Sequence, residues 1–148
     1  MNPLGTILLV EDDDADVELT LAALAKNNLA NDVVVARDGE EALDYLCRRG
    51  EFQTRPPANP TVVFLDLKMP KVDGLEVLRQ IKGDPKLKVI PVVMMTSSRE
   101  EQDLVQSYQL GVNSYLVKPG SFDSLQEIVK SLDMYWLVLN EKPELREG

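Results

Sequence analysis

The sequence predicts an α/β domain: a doubly wound parallel sheet of five strands, covered by helices on both faces. Three observations lead there. Short apolar runs alternate with longer stretches of helical periodicity, five times along the chain. The runs are apolar at consecutive positions rather than at every second one, the pattern of strands buried on both faces. Gly, Pro, Asn and Asp bound the segments, so each ends where the backbone is free to turn. Right-handed crossovers then restrict the topology to an open sandwich, with any ligand beyond the carboxyl ends of the strands.

Ile7 to Val10 is a continuous apolar run that ends in acids and reads as the first strand. From Ala15 to Lys26, Val17, Leu21 and Leu24 fall on one helical face, with Asp14 available as N-cap. Val33 to Ala36 is β-branched and lies between Asn31-Asp32 and Asp38-Gly39, giving a second strand. Glu40 to Arg49 forms a second helix that buries Ala42, Leu43 and Leu46, with Gly50 as its stop. Residues 51–60 hold three prolines and no periodicity, so they form a loop. Val62 to Leu65 is the third strand and ends at Asp66; Gly74 to Lys82 is the third helix, broken by Gly83-Asp84-Pro85. Val89 to Met95 is the fourth strand, Arg99 to Leu110 a fourth helix closed by Gly111, and Ser114 to Val117 the fifth strand. A long helix runs from about Ser121 to Asn140, so 1–148 reads as a single domain with a core over about 5–140 and a short tail over 141–148.

Composition removes several function classes. The chain has 25 acidic against 16 basic residues and a net charge of −9, which argues against a nucleic-acid partner because phosphate neutralisation needs a basic face. Hydrophobic residues make up 44% and charged residues 28%, enough for a core and a solvated surface. No apolar run approaches the ~20 residues of a membrane helix, and the first residues lack the features of a secretory signal, so no membrane association is expected. With Cys47 as the single cysteine no internal disulfide can form, and a reducing, cytoplasmic location follows as the expectation. Histidine is absent, which excludes the Ser-His-Asp triad, His-ligated zinc and phosphohistidine chemistry on this chain.

The chemistry left lies at the strand ends. Strand 1 delivers Glu11-Asp12-Asp13, strand 3 delivers Asp66, strand 4 Thr96-Ser97 and strand 5 Lys118-Pro119. Carboxylates are phosphoryl-accepting nucleophiles, and transfer onto Asp66 fits this set. The neighbouring acids would repel a phosphoryl group, and Mg²⁺ resolves that conflict by binding carboxylate, water and phosphate oxygens together. Lys118 balances further negative charge, and Thr96 offers a hydrogen bond to another phosphoryl oxygen.

Four stretches carry a family resemblance: Leu-Leu-Val-Glu-Asp-Asp, Phe-Leu-Asp-Leu-Lys-Met-Pro-Lys-Val-Asp-Gly, Pro-Val-Val-Met-Met-Thr-Ser and Ser-Tyr-Leu-Val-Lys-Pro. In this order they resemble the receiver domain of two-component response regulators over nearly the whole chain. The resemblance implies a flavodoxin-like sheet of strand order 2-1-3-4-5, with Asp66 as phosphoacceptor. It implies Asp12 as a direct Mg²⁺ ligand, Glu11 acting through water, and the backbone carbonyl of Lys68 as a third protein ligand. Thr96 and Lys118 match the two residues that bind phosphoryl oxygens, and Tyr115 matches the aromatic switch residue. A histidine kinase is the implied donor, the output a downstream protein contact or onward phosphotransfer. The chain is similar in particular to the small regulators that serve cyanobacterial and bacterial phytochromes, on the loop before strand 3 and the pair Tyr135-Trp136. Two positions depart from the family pattern: Gly120 replaces a bulky apolar residue, and Lys68 stands two residues after the acceptor.

Other readings stay open for some positions. Asp13 and Asp14 suit helix capping, and Tyr115 also fits plain core. In the last helix Leu125, Ile128, Val129, Leu132, Trp136 and Leu139 form a core stripe, whereas Met134, Tyr135 and Val138 fall outside it. Those three either cover loops of the same subunit or form a contact surface, and a homodimer through helix 4, strand 5 and helix 5 is expected. A rival in another class is a haloacid-dehalogenase-type Mg²⁺ phosphatase. That reading needs a second acid two residues after the nucleophile, where this chain has Lys68. A flavin site is also disfavoured, since no phosphate loop follows strand 1.

Overall fold

The structure, a computed structural model, describes residues 6–26, 33–56, 58–67, 69, 71–96 and 101–117. Five parallel strands form one sheet in the order β2-β1-β3-β4-β5: β1 (Ile7–Val10), β2 (Val33–Ala36), β3 (Val62–Leu65), β4 (Val92–Thr96) and β5 (Ser114–Val117). Between them run α1 (Asp14–Lys26), α2 (Gly39–Cys47), α3 (Gly74–Gly83) and α4 (Glu101–Gln109). The long helix expected from Ser121 onward lies outside the described residues.

The consecutive apolar runs are explained by two cores separated by the sheet. Leu8, Val10, Val63, Leu65, Val92 and Met94 point to one side, where they meet Ala42, Leu43 and Leu46 of α2 and Val77, Leu78 and Ile81 of α3. Ile7, Leu9, Val62, Phe64, Val93 and Met95 point to the other and meet Val17, Ala23 and Leu24 of α1. Each fully buried aliphatic side chain contributes roughly 1.5–3 kcal/mol, so both faces hold the register. β2, at the sheet edge, is less covered, and Val33 to Val35 are half-buried.

Several element limits differ from the sequence reading, and at α1, α2 and β4 the local reason is visible. Asp13, rather than Asp14, caps α1: its Oδ1 accepts the Asp16 N–H at 3.0 Å. α2 stops at Cys47, with Arg48 as its left-handed cap at φ 58°, two residues before Gly50, which is itself left-handed at φ 57°. The stop is set by Arg55, whose Nε donates to the Tyr45 carbonyl at 2.7 Å while its guanidinium lies 4.1 Å from the Tyr45 ring centroid. Gly50 instead opens a single 3₁₀ turn, Gly50–Phe52, inside the proline-bearing loop. β4 starts at Val92, not Val89, because Pro91 has no N–H and residues 84–90 turn on Asp84, whose Oδ1 accepts the Lys86 N–H at 2.7 Å.

Candidate functional site

The β1–β3 register sets Val10 opposite Leu65, so the next residues, Glu11 and Asp66, emerge side by side at the carboxyl edge. Both backbones stay in the sheet's bonding one residue further: the Asp66 N–H donates to the Val10 carbonyl at 3.0 Å, and the Glu11 N–H to the Ala36 carbonyl at 2.9 Å. One carboxylate oxygen from each of Glu11, Asp12 and Asp66 lies within 4.8 Å of the other two. Glu11 is 3% and Asp66 7% exposed, whereas Asp12 faces solvent. Glu11 Oε1 also accepts the Asp13 N–H at 3.2 Å, which aims the carboxylate along the strand-end turn.

Two buried carboxylates at this spacing repel. At an effective dielectric of about 20, two unit charges roughly 5 Å apart cost about 3 kcal/mol. A divalent cation reverses the sign of that interaction, and an oxygen-only carboxylate set converging on one point is the donor chemistry of hard cations such as Mg²⁺ and Mn²⁺. Glu11, Asp12 and Asp66 therefore fit a metal of that kind.

β4 and β5 end at the same edge. Leu65 pairs with Met94, and Thr96, the last residue of β4, pairs with Val117 on β5. Tyr115 pairs with Met94 and is half-buried against the α2/α3 core. Lys68 and Lys118 lie outside the described residues, as do Met134, Tyr135 and Val138.

Residues assigned no role at the site from the sequence hold the start of α3 against the end of β3. Gly74 N–H donates to the Leu67 carbonyl at 2.8 Å. A methyl group at Gly74 would stand 2.7 Å from Leu67 Cα and closer still to the Asp66 carbonyl oxygen. Asp73 caps α3 by accepting the Glu76 N–H at 3.0 Å, as Asp38 caps α2 by accepting the Glu41 N–H at 2.8 Å. The available signal was the repeated Asp-Gly pair, Asp38-Gly39 and Asp73-Gly74, each a cap followed by a residue with no Cβ.

Comparison with known proteins gives one consistent family. Residues 7–130 match the response regulator receiver domain. Response regulator Rcp1 of Synechocystis sp. (strain ATCC 27184 / PCC 6803 / Kazusa) is 41% identical over 136 residues, covering 92% of this chain and 91% of its own. The Mn²⁺-bound form of Rcp1 superimposes with a TM-score of 0.86 over 95% of this chain and 99% of that one, at 39% identity. The phosphorylated cyanobacterial phytochrome response regulator RcpA gives 0.88 at 43% identity over 95% and 99% of the two chains. The bacteriophytochrome response regulator AtBRR is 60% identical over 93% of this chain and 98% of its own, with a TM-score of 0.75.

Proposed function

This chain belongs to the response regulator receiver domain family, and on that premise we propose that its Asp66 carboxylate accepts a phosphoryl group from a histidine kinase. The supporting observation is the cluster of Glu11, Asp12 and Asp66 within 4.8 Å, held by the pairing of β1 with β3. In the transfer, the P–N bond of the kinase phosphohistidine breaks and a P–O bond to Asp66 forms. The electron pair stays with the imidazole, which takes up a proton as it leaves. Mg²⁺, when bound, supplies positive charge to the phosphoryl oxygens. Glu11, Asp12, Asp66 and the Lys68 carbonyl are the groups that would hold it. Lys118 and Thr96 bind phosphoryl oxygens, and Tyr115 follows Thr96 as the switch residue. The chain turns over no other substrate; its catalysis is confined to its own phosphorylation and slow autodephosphorylation.

The similarity to RcpA and AtBRR supports a phytochrome as the cognate kinase, acting in the cytoplasm. Output runs through protein contact or onward phosphotransfer, and a homodimer forms through α4, β5 and the helix beyond it, including Met134, Tyr135 and Val138. Leu104 and Tyr108, exposed one turn apart on α4, support that surface. Only monomer in micromolar sedimentation runs, with and without a phosphate mimic, would remove the dimer. For the acceptor, the test is labelling by acetyl phosphate with Mg²⁺ present. Wild type takes up one phosphoryl group and Asp66→Asn none; labelling that persists in Asp66→Asn overturns the assignment.

A further inference from the structure

The chain just before α3 is pinned at a second point by the start of α2. A methyl group at Gly39 would stand 2.7 Å from the carbonyl carbon of Val72, 2.8 Å from its Cβ, and nearer still to its carbonyl oxygen. Only a residue without a Cβ lets the Val72 peptide lie across the first turn of α2. Beside it Lys71 adopts a left-handed backbone, φ 64°, with its Nζ 3.5 Å from Asp38 Oδ2 and 4.0 Å from Glu40 Oε2. Asp38 thus caps α2 with one oxygen and holds Lys71 with the other.

These contacts form one continuous chain. The start of α2 touches residues 71 and 72, Asp73 caps α3, and Gly74 lies against the backbone of Asp66. We infer that Gly39 and Lys71 are positioning residues for the carboxylate site: by seating Val72 on α2, they fix residues 71–73, which lead through Gly74 to the Asp66 backbone, and so the geometry with which a divalent cation is bound beside Asp66. Neither residue touches the cation. The inference rests on the proposed metal-dependent reading of Glu11, Asp12 and Asp66.

Any side chain at position 39 forces the Val72 peptide away by about 1 Å, since carbon atoms settle at about 3.5–4.0 Å. Groups that orient metal ligands from outside typically change affinity by about 10- to 100-fold when lost. Gly39→Ala is therefore expected to weaken Mg²⁺ binding at least about tenfold, and Lys71→Met, which leaves the backbone contact in place, by about threefold. The experiment is calorimetric titration of Mg²⁺ into the full chain, with urea midpoints measured in parallel. Leu24→Ala serves as control, because it weakens the core on the other face of the sheet, to which neither Lys71 nor Val72 belongs. The expected pattern is a raised Kd in Gly39→Ala and Lys71→Met, and an unchanged Kd in Leu24→Ala despite its lower midpoint. Equal affinity in wild type and Lys71→Met, or an equally raised Kd in Leu24→Ala, overturns the inference. If Gly39→Ala does not fold, Lys71→Met against Leu24→Ala decides alone. A wild-type chain that binds no Mg²⁺ overturns the metal reading itself, a result distinct from the variants matching a wild type that binds.

Discussion

Gly74→Ala separates a backbone constraint at the site from ordinary helix propensity. The added methyl group would lie 2.7 Å from Leu67 Cα and 3.0 Å from the Asp66 carbonyl carbon. Neither atom can rotate aside, because Asp66 is tied by its N–H to Val10, and Leu67 by its carbonyl to Gly74 itself. Relief requires α3 to move out or the 66–67 peptide to tilt. Overpacking of this kind costs about 1–3 kcal/mol, and stretching the Gly74–Leu67 hydrogen bond about 1 kcal/mol more. Against this, alanine is favoured over glycine within a helix by at most about 1 kcal/mol, and by less in the first turn. The net expectation is a loss of about 2 kcal/mol. With a urea m-value of about 2 kcal/mol/M for a chain of this size, the midpoint falls by about 1 M at unchanged m. Gly83→Ala in the same helix is the matched control, since nothing among the described residues lies within 4 Å of the new methyl group there, and its midpoint is expected to hold or rise. A Gly74→Ala midpoint equal to or above that of wild type would refute the idea that α3 is seated on the Asp66 backbone.

Other perturbations test the surrounding structure. Lys82 Nζ donates to the Lys88 carbonyl at 3.2 Å, the Ile90 carbonyl at 2.9 Å and Asn113 Oδ1 at 3.2 Å, joining α3 to both flanks of β4. Lys82→Met is expected to cost about 2 kcal/mol by urea unfolding, as loss of charged hydrogen bonds at a partly buried site does; a cost under about 0.5 kcal/mol, the range of ordinary surface changes, would show that the links contribute little. Burial pushes the Lys82 amine below the usual lysine range. Over the alkaline interval between its folded and unfolded pKa the unfolded chain holds more protons, so this group makes stability rise with pH. That rise should be missing in Lys82→Met, and an identical pH slope in both proteins would contradict it. Ser107 Oγ is buried with no hydrogen-bond partner among the described residues, so Ser107→Ala should leave thermal stability unchanged or raise it by up to about 1 kcal/mol; a clear loss would reveal a bond to that hydroxyl.

What could be read from the sequence, and what could not, divides along physical lines. β1, β2 and β3 begin and end where the apolar runs do, because a strand packed on both faces must be apolar throughout, whereas β5 starts on the polar Ser114. β4 misled at its start: Val89 and Ile90 are apolar enough for a strand, but Pro91 breaks the donor pattern and the Asp84 turn takes them out of the ladder. Caps were recognisable as a class but not by position. Asp13 and Asp14 offer the same oxygen one residue apart, and only the completed β1–α1 turn chooses between them. The stop of α2 depended on Arg55, seven residues beyond Arg48, reaching back to the Tyr45 carbonyl. Glu11, Asp12 and Asp66 were legible because adjacent parallel strands must deliver their ends to one edge. Gly39 and Gly74 were not, because close approach belongs to two backbones at once, and Val72 lies 33 residues beyond Gly39.

The same division says where differences in cation binding among chains of this fold should arise. A slip of one residue by β3 against β1 would turn Val63 and Leu65 out of one core and Val62 and Phe64 out of the other. The relative placement of Glu11 and Asp66 is therefore as robust as the fold and has little freedom to drift without unfolding. Residues 71–73 lie outside that register: the Gly39 contact, the Asp73 cap and the exposed Lys71 hold them. On the inference drawn above, a change such as Lys71→Met alters cation affinity while the β1–β3 register stays intact. The strands thus set which carboxylates meet, and the seating of Val72 on α2 is where affinity differences between such chains are expected to arise.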